Sequence, residues 1–172
     1  ILAGDGLLSL AFVELAGLGC PGALSAVARG AFDMVAGQSL DMNPTDGEKQ
    51  LLRIHALKTG ALIKAAVLAG AFVARASERD RVALAEFSEA YGLLFQITDD
   101  VLDASGDAAL LGKTTGKDAA EGKTTFVTCY GLDEAISRAK TAAETARAAL
   151  LPFGERAAFF LELTDYTLTR VR

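Results

Sequence analysis

Phe95-Gln96-Ile97-Thr98-Asp99-Asp100-Val101-Leu102-Asp103 is the stretch on which the reading of this chain turns. Its apolar residues do not alternate with polar ones, so it is not a half-buried strand; they recur at the spacing of a helix. On a helix, Gln96, Asp99 and Asp103 stand at i, i+3 and i+7, and at about 100° per residue they share a narrow face. Phe95, Val101 and Leu102 argue that much of this helix is buried. Two carboxylates one turn apart in such a setting repel each other and are costly to desolvate. A hard, oxygen-seeking cation relieves both costs, and Mg²⁺ takes one or two carboxylates together with water and phosphate oxygens. The competing reading is a solvated acidic helix face. Gln96, the apolar flanks and the lysines downstream weigh against it.

Those lysines are Lys113, Lys117 and Lys123, in Leu111-Gly112-Lys113-Thr114-Thr115-Gly116-Lys117-Asp118 and Gly122-Lys123-Thr124-Thr125. Glycine-rich loops let backbone N–H and ammonium groups approach an anion closely. Carboxylates followed by such a loop suit a metal–diphosphate complex. The stretch from Gly116 to Thr124 imitates a phosphate-binding P-loop, but five residues, not four, separate Gly116 from Gly122, and an acidic helix stands where the preceding strand should be.

Upstream, Lys58-Thr59-Gly60 lies among Ile54, Leu57, Leu62 and Ile63. A lysine followed by a small hydroxyl residue at a helix start is a plausible phosphate site; a surface lysine beside a helix cap is the plainer alternative. Gly37-Gln38-Ser39-Leu40-Asp41 puts Gln38 and Asp41 on one helix face, where they read as an internal polar pair. His55, the single histidine, reads as structural, since no Cys or His partner for zinc is near it. No Ser-His-Asp order or nucleophile elbow is present.

The rest of the chain reads as helix. Leu7–Leu15, 23–42, a stretch from a Thr45–Glu48 capping box to Arg75 with a break near Lys58–Gly60, and 79–104 are the expected elements. A loop is expected over 105–123, then two or three helices broken at Leu151-Pro152-Phe153-Gly154. No repeat or linker divides the 172 residues, so one all-α domain is expected over 1–172. Abundant Gly and Ala imply closely approaching helices.

The chain is 51% hydrophobic and 23% charged, with a net charge of −5 and pI about 4.9. That balance gives no sign of a nucleic-acid partner. No uninterrupted apolar run reaches the about 20 residues that span a bilayer, so no membrane insertion is expected. No signal peptide is visible, and Cys20 and Cys129 read as buried free thiols of a cytoplasmic protein.

Taken in order, GQxxD (Gln38, Asp41), KTG (Lys58, Thr59), FQxxDDxxD, LGKxxGxD and GKxT resemble the trans-prenyl diphosphate synthases, in particular bacterial farnesyl diphosphate synthase and its geranylgeranyl relatives. The resemblance runs over essentially the whole chain, and the order of the motifs makes it far more specific than any one alone. It implies an isoprenoid synthase-type helical bundle around a central cavity and a homodimer. It also implies Mg²⁺-dependent condensation of isopentenyl diphosphate with an allylic diphosphate (dimethylallyl or geranyl), to farnesyl diphosphate or a similar short product. Asp99 is then a Mg²⁺ ligand, with Asp100 and Asp103 as metal-water or supporting partners. Lys58 and Lys113, and more weakly Lys123, bind the allylic diphosphate. Thr59 and Gln96 steady the carbocation or the site around it, and Gln38 lines the allylic pocket.

Ile1-Leu2-Ala3-Gly4-Asp5 is similar to the segment just after that family's first aspartate-rich motif. The chain is therefore expected to be the C-terminal portion of such an enzyme. It would hold only the second-motif metal site and would be inactive alone, without the first DDxxD or the residues that hold isopentenyl diphosphate. A class I terpene cyclase and a non-catalytic partner subunit are the competing readings. Cyclases carry a different second metal motif, and the acids and lysines would have no reason to persist together in a remnant.

Overall fold

A computed structural model describes residues 1–42, 47–105 and 124–170. Among these every element is helical: α1 (Leu2–Gly17), α2 (Pro21–Met42), α3 (Glu48–His55), a π turn (Ala56–Gly60), α4 (Ala61–Val73), α5 (Glu78–Ser105), α6 (Phe126–Tyr130), α7 (Leu132–Leu150), a 3₁₀ turn (Leu151–Ala157) and α8 (Ala158–Thr169). The loop expected over 105–123 falls almost wholly outside the described residues, as does Thr45 of the expected capping box; α3 starts at Glu48 behind Gly47.

The expected break near Lys58–Gly60 is not a break. The helix runs on from Glu48 to Val73, with a π turn inserted between α3 and α4. A π turn spreads an extra residue over the helix and so rotates the residues C-terminal to it; such turns are frequent at functional sites. The resulting 26-residue run, of mean hydropathy 1.6 in its most apolar window, is long and apolar enough by length and composition to cross a membrane. The expectation concerned uninterrupted apolar runs, and none of that length is present here; what it did not foresee is a helix this long and apolar on average. Lys58 and Lys64 interrupt the run without ending the helix. Both lysines pair with other helices, Lys58 with Asp41 of α2 and Lys64 with Glu89 of α5. Cross-helix pairs of this kind fit a helix packed between two others within the bundle.

Two small-residue contacts fix how closely α2 meets this helix. A Cβ on Gly30 would stand 2.4 Å from the Ala65 Cβ, and one on Gly37 would stand 2.3 Å from the Lys58 backbone nitrogen. Between the α3–α4 run and α5 the antiparallel register reads Lys64 to Glu89, Gly60 to Gly92 and His55 to Gln96. Asp41, Lys58, His55 and the Asp99–Asp103 end of α5 therefore lie at the same end of the bundle.

The core is centred on α5, where Phe87, Leu94, Ile97 and Val101 are buried. Against it α7 lays Ala135, Ala139, Ala142, Ala143 and Ala146, all buried at helical spacing. The small side chains let the two axes approach. Phe87 meets Phe160 of α8 at 4.9 Å between ring centroids, and the Tyr91 hydroxyl meets Thr167 Oγ1 at 3.1 Å. In contrast α1 buries nothing, and Leu2, Leu7, Leu10 and Val13 are exposed along it. The cysteines also differ from expectation: Cys20 is half-buried and Cys129 exposed, Cys20 standing at the turn before α2 and Cys129 near the end of the short α6.

Gly131 turns the chain between α6 and α7 at φ 82°, a conformation side chains resist. Beside it the Arg138 guanidinium sits 3.8 Å from the Tyr130 ring centroid and reaches Glu48 Oε1 at 3.4 Å, tying α6 and α7 to the start of α3. Burial, then the Glu48 carboxylate, pushes the Tyr130 hydroxyl up to about 12, with Arg138 opposing. The fold thus holds the Tyr130 proton more tightly than the unfolded chain does. Its stabilising contribution is complete below pH 10 and is lost as pH rises from 10 towards 12. A phenolate absorbance titration is expected to show a step near pH 12 that Tyr130→Phe removes and Glu48→Gln brings down.

Candidate functional site

The π turn presents Lys58 and Thr59, both half-buried, at the end of the bundle where α2 finishes. Lys58 Nζ donates to Asp41 Oδ2 at 2.5 Å. Helix α2 can come this close only because position 37 has no side chain. Two readings of these residues change. Asp41 does not pair internally with Gln38, which is exposed; it holds Lys58 instead. And Lys58 is not at a helix start, because the helix continues through it. Its amide is spent on the helix ladder, so what it offers an anion is its ammonium charge alone.

On α5 the three carboxylates separate by role. Asp99 and Asp103, half-buried and one turn apart, make no hydrogen bond or ion pair among the described residues. Asp100 is committed: its Oδ2 accepts the Phe126 N–H at 2.8 Å and stands 3.9 Å from His55 Nε2. Gln96 is engaged too, its Oε1 2.5 Å from His55 Nδ1. His55 lies with its ring centroid 5.5 Å from that of Phe126. So the structure joins Gln96 and Asp100 through a residue read from sequence as merely structural. The only sequence signal for it was its position three residues before Lys58, one helical turn away.

Among the described residues no three His, Cys, Asp or Glu side chains form a closed metal cage. Mg²⁺ does not need one, since one or two carboxylates with water and phosphate oxygens suffice. Asp99 and Asp103, hard oxygen donors with no partner among the described residues, fit that demand; Asp100, already spent on the Phe126 amide, fits a supporting place. Lys113 and Lys123 lie outside the described residues.

From His55, Gly60 and Gly92 a cleft of about 560 Å³ runs down between α2, α4 and α5. Leu52, Leu57, Leu68 and Leu93 line it, and the Lys64–Glu89 and Arg29–Asp33 pairs stand along it. An apolar cleft below a cluster of cation-seeking acids and a lysine suits an amphiphile with an anionic head and a hydrocarbon tail.

The sequence matches the family model described as Polyprenyl synthetase over residues 1–149. It is 38% identical over 192 residues to the farnesyl diphosphate synthase of Escherichia coli, covering 99% of this chain and 62% of that one. It is 34% identical over 183 residues to the geranylgeranyl diphosphate synthase of Cyanophora paradoxa, covering 99% and 61%. The fold is similar to the apo FPP/GFPP synthase of Zymomonas mobilis (TM-score 0.81, 30% identity, 97% of this chain and 60% of that one). It is also similar to the polyprenyl synthase of Caulobacter crescentus complexed with calcium and isoprenyl diphosphate (TM-score 0.89, 26% identity, 100% and 65%). The chain thus spans about three fifths of these relatives.

Proposed function

The chain belongs to the polyprenyl synthetase family and has its all-α isoprenoid synthase fold, and from that premise we propose that it serves prenyl transfer: the Mg²⁺-dependent condensation of isopentenyl diphosphate with an allylic diphosphate to a farnesyl- or geranylgeranyl-type product. One observation carries this reading. Asp99 and Asp103, neither of them engaged among the described residues, stand at the same end of the bundle as the Lys58–Asp41 pair, above an apolar cleft. The relatives' names, farnesyl and geranylgeranyl diphosphate synthase, favour elongation over cyclisation.

Mg²⁺ held by Asp99 and Asp103 would supply the positive charge that makes an allylic diphosphate a better leaving group. Lys58 adds a fixed ammonium for the diphosphate oxygens, held in place by Asp41 rather than left to reorient. The leucine-lined cleft takes the hydrocarbon tail and keeps water from a cationic centre. A homodimer is part of the same proposal: α1 buries nothing in the single chain, and its exposed Leu7, Leu10 and Val13 suit a second copy.

The test is calorimetric titration of geranyl diphosphate into the chain with and without Mg²⁺. Binding that requires Mg²⁺ is expected. Equal binding in its absence, or none in its presence, would overturn the reading.

A further inference from the structure

Clefts on either side of α5 share a wall. The first, of about 560 Å³, is the one between α2, α4 and α5. The second, of about 740 Å³, lies between α5 and α7, where Ala90, Ile97, Phe126, Ala142 and Ala149 make it apolar. Leu52, Glu89 and Leu93 line both. Helix geometry explains the place of Leu93. At about 100° per residue it falls between Gly92, which lines the first cleft, and Ala90 and Ile97, which line the second. Asp99 and Asp103 lie on the Gly92 side, so the acidic face continues into the first cleft and not into the second.

The first cleft cannot lengthen between α2 and α4. Its lining includes Gly30 and Ala65, where a Cβ on the glycine would stand 2.4 Å from that of the alanine. Further along, a Cβ on Gly22 would stand 2.5 Å from the Phe72 ring. These helices are in contact, and no hydrocarbon passes between them. On the α5 side the barrier is thinner. It consists of the half-buried Leu52 and Leu93 side chains and of Glu89, exposed and paired with Lys64.

We propose that Leu93, together with Leu52, determines the length of hydrocarbon chain the site accepts: a prenyl chain too long for the first cleft must displace this wall to reach the second. The head of such a ligand stands on the Asp99–Asp103 face, and its distal isoprene units meet Leu93. The wall resists because its side chains pack against both clefts and the core behind them. The proposal rests on the reading of the first cleft as the tail site.

The test is calorimetric titration, with Mg²⁺, of geranyl diphosphate and geranylgeranyl diphosphate, which share a head and differ in tail length. The parent is expected to bind the shorter ligand at least about tenfold more tightly, since even one methylene too many costs about that much in an apolar pocket. Leu93→Ala is expected to weaken geranyl diphosphate about threefold, through lost contact, and to tighten geranylgeranyl diphosphate about tenfold, so that the preference is cancelled or reversed. A merely structural defect would weaken both ligands together. A parent indifferent to tail length, an unchanged preference in Leu93→Ala, or an equal loss of both ligands overturns the proposal. Geraniol and geranylgeraniol carry the same tails without the diphosphate. If the parent binds neither diphosphate, the functional reading falls and the alcohols decide the wall: a gain by Leu93→Ala for the longer alcohol over the shorter upholds it, and no such gain overturns it. Should Leu93→Ala fail to fold, Leu52→Ala, on the opposite helix of the wall, is expected to shift the preference in the same direction, and a preference it leaves unmoved overturns the proposal.

Discussion

Replacing Gly37 with valine is expected to cost about 3 kcal/mol of stability, at the upper end of what overpacking a tight core does. A Cβ at position 37 would lie 2.3 Å from the Lys58 nitrogen and 2.7 Å from both the Lys58 Cα and the Leu57 carbonyl carbon. These are backbone atoms inside a helix and cannot swing aside as a side-chain tip could. Either α2 moves away from the π turn or the π turn unwinds, and both outcomes separate Lys58 from Asp41. Urea denaturation monitored by circular dichroism measures the loss. Gly70 provides the control, since a Cβ there meets nothing within 4 Å. Gly70→Ala is expected to leave stability unchanged or raise it by up to about 1 kcal/mol, as glycine is the weaker helix former. A Gly37→Val variant within about 1 kcal/mol of the parent would mean that the helices do not meet this closely. Magnesium pyrophosphate affinity should fall with the same substitution, because Lys58 loses the carboxylate that holds it.

Asp99→Ala and Asp100→Ala are expected to fail in different assays, although the two residues are adjacent. Asp99 makes no other bond among the described residues, so its removal leaves the fold as stable as before. It should weaken Mg²⁺-dependent binding of geranyl diphosphate by about 100-fold or more, since loss even of a supporting partner of a metal ligand costs about 10- to 100-fold. Asp100 accepts the Phe126 amide while Phe126 itself is 1% exposed. Its removal leaves that N–H without its acceptor, at a cost of about 2 kcal/mol, and frees the start of α6 from α5. Thermal melting and calorimetric titration of both variants check this. If Asp100→Ala melted with the parent and lost Mg²⁺ instead, the division of roles among the three carboxylates would be wrong.

The helical architecture could be read from residue spacing alone, because an amphipathic helix writes its period into consecutive positions. So could the Gln96–Asp99–Asp103 face. What could not be read is anything that depends on which helices become neighbours. The Lys58–Asp41 pair joins residues 17 positions apart and the His55–Gln96 contact residues 41 apart; no local pattern encodes such distances. A lone histidine on an apolar helix looks the same from sequence whether it faces an alanine or a glutamine.

The π turn is the clearest case. Lys58-Thr59-Gly60 suggested an interrupted helix, because glycine usually marks an end. Whether the helix stops or absorbs an extra residue is decided by what presses on it. Here that is Gly37 of α2 on one side and Gly92 of α5 on the other, the latter close enough that its Cβ would stand 3.1 Å from Gly60. The sequence by itself determined the elements, the acidic face and the family, since each rests on residues close together in the chain or on the order of motifs along it. Only the tertiary structure decided that Asp100 anchors α6 and that His55 stands against Gln96. Both are contacts between helices, made when burial excludes water and each polar atom must find its partner in another element.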